Sequence, residues 1–244
     1  MSTLRSEKRL LMAMGAVIVL LNVPYGHFVL YPFELFSTWV HEMSHGMMAL
    51  LLGGRIDWLK VFPDGSGLAR TFGGGGRFGS AAVASAGYLG TALVGGLLLA
   101  ARRIRRVGRG GTLLIGSLML LSALLWIRNG FGFIAVPAIG GALILAGLKL
   151  KDDAVGFLFA LLAATCSLES LTSIKVLFGG RNFMVDGQAI QHSDATRVAE
   201  LLFLPSWFWA GSWMLTSVGL LFLGLRLGAK SGPTLRDEGG HSAP

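Results

Sequence analysis

Long apolar stretches alternate with short polar ones along most of this chain. A helix needs about 20 predominantly apolar residues to cross the hydrocarbon core of a bilayer. The pattern therefore predicts an all-α polytopic membrane protein with about seven transmembrane helices. The predicted spans are Leu10–Val29, Leu30–Leu52, Ser80–Ala101, Gly111–Ile127, Phe131–Leu148, Ala154–Phe178 and Ser206–Leu227.

Local signals mark the ends of the second predicted helix. Proline at the first helical position fixes φ and lacks only an N–H that has no helical partner there, so we expect the helix to start at Tyr31-Pro32. Gly53-Gly54 should end it, because glycine commonly follows the last helical residue. The first helix should break or bend near Pro24-Tyr25-Gly26.

The segment Gly53–Gly79 interrupts the helical pattern. Ile56–Phe62 and Gly67–Phe72 flank a turn signal at Pro63-Asp64-Gly65 and predict a β-hairpin. The run Gly73–Gly76 is too flexible for the interior of an element. From the residues alone, a plain connecting loop is an equally good interpretation.

The region before the last span is polar. Gly179–Thr196 is expected to form a loop, and Arg197–Leu204 a short amphipathic helix that Pro205 stops. We predict one transmembrane domain over residues 1–230 and a disordered C-terminal tail over residues 231–244.

Composition agrees with a membrane protein. Hydrophobic residues make up 53% of the chain and charged residues 14%, whereas a soluble domain has about 25% charged residues. The net charge is +8, but the basic residues cluster between apolar stretches and are typical of membrane-flanking anchors, so no nucleic-acid partner is expected. The single cysteine, Cys166, excludes an internal disulfide. We expect a multi-pass protein of the cell membrane.

The second helix carries the sequence His41-Glu42-Met43-Ser44-His45. Two histidines four positions apart lie about 40° apart around a helix, so both imidazoles can reach one metal ion. Glu42 lies on the adjoining flank and can reach a water on that metal. Zinc hydrolases use this arrangement, in which two neutral imidazoles bind Zn²⁺ and the glutamate acts as general base.

The position of the motif argues against a chance occurrence. His41 is expected near the middle of the bilayer, because nine residues at about 1.5 Å each separate it from Pro32. Ionisable groups at that depth cost several kcal/mol unless they have a partner or a water-filled cavity.

A His-Glu-x-x-His within a membrane span, followed by Gly53-Gly54-Arg55 and a short polar insertion, resembles the site-2-protease class of intramembrane zinc metalloproteases. The resemblance is strongest to the compact branch of that class, whose members lack an inserted peptide-binding domain. It covers about Phe36–Ser66, then Ser85–Gly96 and more loosely His192–Trp213. It implies a hairpin or re-entrant loop after the motif helix, a Zn²⁺ cofactor and a single metalloprotease domain over residues 1–230.

The membrane orientation stays open. The resemblance places the hairpin on the cytoplasmic side, and the basic segment Met1–Arg9 agrees. The arginine cluster Arg102–Arg109 argues for the opposite orientation, because positive residues favour the cytoplasmic side.

A catalytic zinc usually has three protein ligands, so the two histidines need a third. The resemblance favours Asp194, because the compact branch carries a Ser-Asp-Ala sequence at the start of a helix before its last span. Asp186 is the first alternative, since the class often has an Asp-Gly dipeptide at the ligand and Asp186-Gly187 matches it. Glu169, deep in an apolar stretch, is a further alternative, as a ligand or as a hydrogen-bond partner of a zinc-bound histidine.

These features predict an intramembrane metalloendopeptidase that hydrolyses a peptide bond of a membrane-anchored protein, as in regulated intramembrane proteolysis, with Glu42 as the catalytic base. The expected partners are that substrate and the lipid bilayer. One alternative is a catalytically silent metal-binding scaffold, against which the intact Glu42 argues, since a structural site needs no base. The other alternative is a metal or proton transporter. Transporters usually have internal repeats or polar residues in several spans, which makes this alternative less favoured.

Water must reach a site at this depth. Glu34, Ser37 and Thr38 share a polar stripe with His41 on the motif helix, whereas the stripe beyond His45 is apolar. The stripe predicts that water enters from the Pro32 end, although the resemblance implies an opening toward the hairpin.

Overall fold

Eight helices and two small antiparallel hairpins form the described part of the chain in the computed structural model, which covers residues 2–101, 105–178, 183–185, 188–190 and 193–230. The helices are α1 (Ser2–Asn22), α2 (Gly26–Leu51), α3 (Gly76–Ala101), α4 (Arg105–Leu125), α5 (Gly130–Lys149), α6 (Asp152–Phe178), α7 (Asp194–Leu202) and α8 (Ser206–Lys230). The strands are β1 (Arg55–Val61), β2 (Gly67–Phe72), β3 (Phe183–Val185) and β4 (Gln188–Ile190).

The chain is a predominantly helical integral membrane protein. Four helical segments within the described residues are long and apolar enough to cross a bilayer: Gly76–Ala101, Gly108–Leu125, Gly130–Lys149 and Ser206–Gly228. α1 contributes a shorter apolar helix, Leu11–Leu20. The prediction of about seven spans also requires α1, α2 and α6, and it stays a prediction.

The prediction that α2 starts at Tyr31-Pro32 is wrong. α2 begins at Gly26, and Pro32 lies inside it. Tyr25, with φ of 64°, turns the chain between α1 and α2. A side chain at position 26 would collide with the Leu20 carbonyl, so the tight corner requires glycine there. Pro32 removes one hydrogen bond from an early turn, which membrane helices tolerate.

The predicted hairpin is confirmed. β1 and β2 pair antiparallel, with Val61 opposite Gly67 and Leu59 opposite Ala69. The glycine run is explained by the backbone, because all four residues of Gly73–Gly76 have positive φ, between 66° and 103°, a region that costs glycine little.

The hairpin lies alongside α2 rather than beyond its end. The Tyr31 hydroxyl donates a hydrogen bond to the Pro63 carbonyl at 2.6 Å, and the Thr38 hydroxyl donates to the Gly65 carbonyl at 2.6 Å. The turn between the strands therefore lies next to the N-terminal half of α2, and β2 runs back along the helix toward Gly54, close to its C-terminal end.

α3 is the central helix, in contact with α2, α6, α7 and α8. Its small residues allow helices to approach closely, as in other membrane proteins. The main core lies between α2, the β1 strand and helices α4 to α6, and includes Phe36, Leu59 and Met119, all 0% exposed. The Trp39 indole donates to the Ser122 hydroxyl at 2.8 Å and fixes α2 against α4.

The region before the last span differs from the predicted loop. Within Gly179–Thr196, β3 and β4 pair as a short hairpin, and α7 begins at Asp194 rather than at Arg197. The Ser193 side chain accepts a hydrogen bond from the Thr196 amide at 3.2 Å, so Ser193 is an N-cap that permits this earlier start. Asp186 and the predicted tail at 231–244 lie outside the described residues.

Candidate metal centre

His41, His45 and Asp194 converge at one point where α2 meets the start of α7. The Asp194 Oδ2 atom lies 3.4 Å from His41 Nε2 and 3.4 Å from His45 Nε2. The three ligand atoms all lie within 4.8 Å of one another. Ligands about 2.0–2.1 Å from a tetrahedral zinc ion are about 3.4 Å apart, so the two distances from Asp194 match the spacing around one such ion.

The orientation of His45 favours metal binding through Nε2. Its Nδ1 atom lies 2.7 Å from the carbonyl oxygen of Val83 on α3. Because a carbonyl only accepts, Nδ1 must carry the proton, which leaves the lone pair of Nε2 for a metal. A hydrogen bond of this kind fixes the tautomer and the ring orientation of zinc-binding histidines.

An aromatic stack supports His41. The His41 ring meets the Tyr88 ring edge-on, with centroids 4.8 Å apart and an interplanar angle of 89°. Tyr88 in turn stacks on Trp213 of α8 at 5.3 Å. Side chains of α3 and α8 therefore hold the imidazole that α2 presents.

The backbone of α3 lies directly against the two imidazoles at Gly87. A Cβ atom at this position would lie 2.5 Å from His45 Nε2 and would also collide with His41 Nε2. Real Cβ atoms do not approach that closely, so only glycine leaves the ligand atoms room. The tight packing of α3 therefore bears directly on the metal centre.

Asp194 is the first residue of α7, where an acidic side chain interacts favourably with the helix dipole. Burial raises the pKa of the Asp194 carboxyl, but the neighbouring His45 and His41 imidazoles outweigh it and hold this pKa well below its usual range. Asp194 is therefore ionised at neutral pH, which is the form that binds a metal ion.

Glu42 lies beside the centre and against the hairpin. Its side chain is buried, with 7% exposure. A Cβ atom on Gly67 would come within 2.8 Å of Glu42 Oε1, so β2 passes directly over the carboxylate. The Ala69 backbone also forms a hydrogen bond with it. The carboxylate is thus held between the imidazoles and an edge of the hairpin.

A cavity of about 490 Å³ opens onto these residues. Its walls are β2, the first turns of α3 and the start of α7, including Ser80, Ser193 and Arg197. The predicted water route from the Pro32 end gains no support, because the cavity lining does not include Glu34, Ser37 or Thr38. The route that the resemblance implied, toward the hairpin, agrees with the cavity.

The structure brings together four of the predicted site residues: His41, Glu42, His45 and Asp194. Glu169 lies in α6, but its side chain is outside the described part of the structure, and Asp186 lies outside the described residues altogether. The choice of Asp194 over these two carboxylates as the third ligand therefore stays a prediction. Sequence reasoning missed the roles of Gly87, Val83 and Tyr88. The small residues of α3 are typical of close helix packing but do not indicate that the metal centre is its neighbour, and a backbone carbonyl such as that of Val83 leaves no sequence signal.

Comparison with known proteins places the chain in a protein family. The family model described as Peptidase M50B-like matches residues 10–224, which include all four of these residues. None of the curated proteins compared with the chain matches it, and none of the solved structures does.

Proposed function

The chain belongs to the Peptidase M50B-like family, a family of site-2 proteases, and we propose on this premise that it is an intramembrane zinc metalloendopeptidase. The observation that carries the proposal is the convergence of His41, His45 and Asp194 beside the buried carboxylate of Glu42. A base next to the ligands favours an enzyme over a silent metal-binding scaffold, which needs no base.

The donor set fits Zn²⁺. Two imidazoles and one carboxylate are typical of catalytic zinc sites, which keep a fourth position open. Zn²⁺ bound there supplies an acidified water and polarises the scissile carbonyl. The Val83 carbonyl and the Tyr88 ring keep the two imidazoles in place for it.

Glu42 performs the proton transfers in this proposal. Its carboxylate takes a proton from the attacking water and returns it to the leaving amine, so that one residue serves as base and then as acid. Burial between α2 and β2 keeps the carboxylate within reach of a peptide on the hairpin side of the cavity.

The substrate is a membrane-anchored protein that presents an unwound, extended segment. Within the described residues no strand pairs with the outer edge of β2, and this edge borders both the cavity and Glu42. A peptide can add to such an edge through backbone hydrogen bonds, which places its carbonyl groups next to the metal centre.

We also propose seven membrane crossings, formed by α1 to α6 and α8, in the cell membrane. With this number, the chain enters the hairpin, the α4–α5 connection and α7 from the same side of the membrane, and these segments do contact one another or α3. Arg77 at the start of α3 donates to the Leu201 carbonyl at the end of α7 at 2.9 Å. On the opposite side of the proposed membrane domain, Arg109 near the start of α4 donates to Asp152 at the start of α6 at 2.8 Å.

Glu42→Gln and Asp194→Ala test the function together. Glu42→Gln should abolish cleavage of a model single-span substrate by purified protein in vesicles and leave metal content near one ion per chain, because it removes the base but no ligand. Asp194→Ala should lower metal content as well as cleavage.

Glu34→Gln is the matched control, since it makes the same substitution on the same helix away from the cavity, and it should cleave normally. Cleavage by the Glu42→Gln protein at the wild-type rate would refute the mechanism. Full metal content in the Asp194→Ala protein would show that another residue is the third ligand.

A further inference from the structure

The connection between α4 and α5 closes the outer edge of β1. The Leu59 amide donates to the Trp126 carbonyl at 2.8 Å, and the Arg128 amide donates to the Leu59 carbonyl at 3.0 Å. Leu59 and Ile127 form a parallel bridge. The connection therefore acts as a third strand, and the two-stranded hairpin becomes part of a three-stranded sheet.

Asn129 extends this third strand with its side chain. Its amide nitrogen donates to the Val61 carbonyl at 2.7 Å, and its amide oxygen accepts from the Val61 N–H at 3.3 Å. One side chain thus satisfies both backbone groups of a residue that is 0% exposed. Buried backbone groups without partners are costly, more so at membrane depth.

The hydrogen bonds at the closed outer edge of β1 show which backbone groups of β2 point to the outer edge of that strand. Backbone groups alternate along an antiparallel strand between those that point to the partner strand and those that point away. Leu59 and Val61 point toward the connection, so their partners Ala69 and Gly67 point their backbone groups away from β1. These groups lie on the edge that borders Glu42.

We propose that Asn129 is a positioning residue for peptide hydrolysis: it holds β1 at the depth where the free edge of β2 is aligned with Glu42. The inference rests on the proposed function, and it assigns to the α4–α5 connection a role in selecting which peptide bond of an extended substrate reaches the base. The hydrogen bonds from Tyr31 and Thr38 hold the turn of the hairpin. β1 packs on α2 through apolar side chains, and the connection supplies the hydrogen bonds that fix the position of its outer edge.

Asn129→Asp tests this role. The aspartate is nearly isosteric and still accepts from the Val61 N–H, but it cannot donate to the Val61 carbonyl. Hydrogen exchange of the segment Leu59–Val61, measured by mass spectrometry in vesicles, should become about tenfold faster or more, since a lost buried hydrogen bond is worth about that factor. Metal content should stay at the wild-type level.

Cleavage should change in pattern as well as in rate. With a model single-span substrate, kcat/KM of the Asn129→Asp protein should fall at least about fivefold, and cleavage should spread to neighbouring peptide bonds. A purely structural role would lower the amount of folded protein but would leave the cleavage position of the folded fraction unchanged. Asn129→Gln, which keeps the donor and the acceptor, should restore part of the wild-type pattern and serves as a second variant if the aspartate does not fold.

Arg128→Ala is the matched control within the same connection. The Arg128 side chain donates to the Ile127 carbonyl at 2.8 Å and reaches back to the end of α4, whereas its backbone amide donates to the Leu59 carbonyl of β1. This variant should keep wild-type exchange and cleavage.

Two results would overturn the inference: wild-type exchange of Leu59–Val61 in the Asn129→Asp protein, or faster exchange with an unchanged cleavage pattern and kcat/KM. A wild-type protein that hydrolyses no peptide bond would instead overturn the proposed function and, with it, the role of Asn129 in positioning the substrate. The exchange measurement would then still report whether Asn129 holds β1.

Discussion

At the scale of single residues, the metal centre depends on the lack of a side chain at Gly87 as well as on its ligands. α3 crosses the two imidazoles at Gly87, so that a single added carbon atom would meet both Nε2 atoms. The spacing of the two histidine ligands is therefore set by two helices together: α2 provides the histidines, and the backbone of α3 limits where their rings can lie.

Gly87→Ala should remove the metal. The new methyl group needs the space between the two ring nitrogens, and neither the imidazoles nor the backbone of α3 can yield without separating the ligands. We expect metal affinity to fall at least about tenfold, which corresponds to about 1.4 kcal/mol, as measured by metal competition on purified protein.

Gly211→Ala on α8 is the control for this substitution, because an added Cβ there meets nothing within 4 Å. It should leave metal affinity unchanged and should stabilise the helix slightly, since alanine is favoured over glycine by up to about 1 kcal/mol. Equal metal affinity in the two variants would mean that α3 does not constrain the ligands.

Sequence reasoning succeeded for residues whose chemistry is carried by their own side chains. His41, Glu42 and His45 are recognisable because their spacing matches a helix and their charge is costly in a membrane. Gly87 and Val83 act through a missing side chain and through a backbone carbonyl, respectively. Such contributions depend on which helices become neighbours, so spacing along one helix cannot reveal them.

At the scale of elements, α7 carries Asp194 and is held at both ends. Ser193 caps its N-terminus, and Arg77 of α3 binds the Leu201 carbonyl at its C-terminus. The Arg77 guanidinium also lies 4.5 Å from the centre of the Phe203 ring. Since the helix has only 9 residues, its own hydrogen bonds are few. These end contacts, together with the packing of Ala195 and Val198 against α3 and α8, orient Asp194 toward the histidines.

Arg77→Ala should therefore weaken metal binding although Arg77 does not contact the centre. The loss of a charged hydrogen bond and a ring contact at an exposed site is worth about 1 kcal/mol, so we expect about a fivefold loss of metal affinity in the same competition assay. Arg77→Lys should lose less, because it keeps the charge but not the planar donors.

Arg55→Ala provides the comparison for Arg77→Ala. The Arg55 guanidinium lies 5.0 Å from the centre of the Phe72 ring but does not contact α7. Metal affinity should not change in this variant. A loss as large as that of Arg77→Ala would indicate a general effect of removing a surface cation, and would contradict the proposed attachment of α7.

Element boundaries show where local signals fail. Pro32 is a good helix start by its own chemistry, yet α2 extends back to Gly26 because the corner at Tyr25 and the packing of Gly26 on α1 outweigh it. The turn signal and the alternation of the hairpin are local, but they fit a plain loop equally well, and the resemblance to site-2 proteases was needed to favour the hairpin. Its location alongside α2 was not predictable, because it depends on the hydrogen bonds with Thr38 and with the α4–α5 connection.

At the scale of the whole molecule, polar contacts at opposite ends of the helices support an alternating path through the membrane. At one end, Arg77 at the start of α3 binds the C-terminal end of α7. At the opposite end, Arg109 near the start of α4 binds Asp152 at the start of α6. The connection that docks on β1 lies at the Arg77 end. Seven crossings place each of these pairs on a common side, whereas a path without α6 as a span would separate Leu201 from Arg77.

Labelling of single cysteines from either side of the membrane tests this path. In a Cys166→Ala background, which removes a cysteine that is buried, cysteines at Val23 and Lys151 should react with an impermeant thiol reagent from one side, and cysteines at Asp57 and Glu200 from the other. All four positions are exposed, so the side of labelling reports topology rather than burial. Labelling of Lys151 and Glu200 from the same side would exclude α6 as a span. Labelling of Val23 and Asp57 from the same side would exclude α2, and the histidines would then not lie within the bilayer.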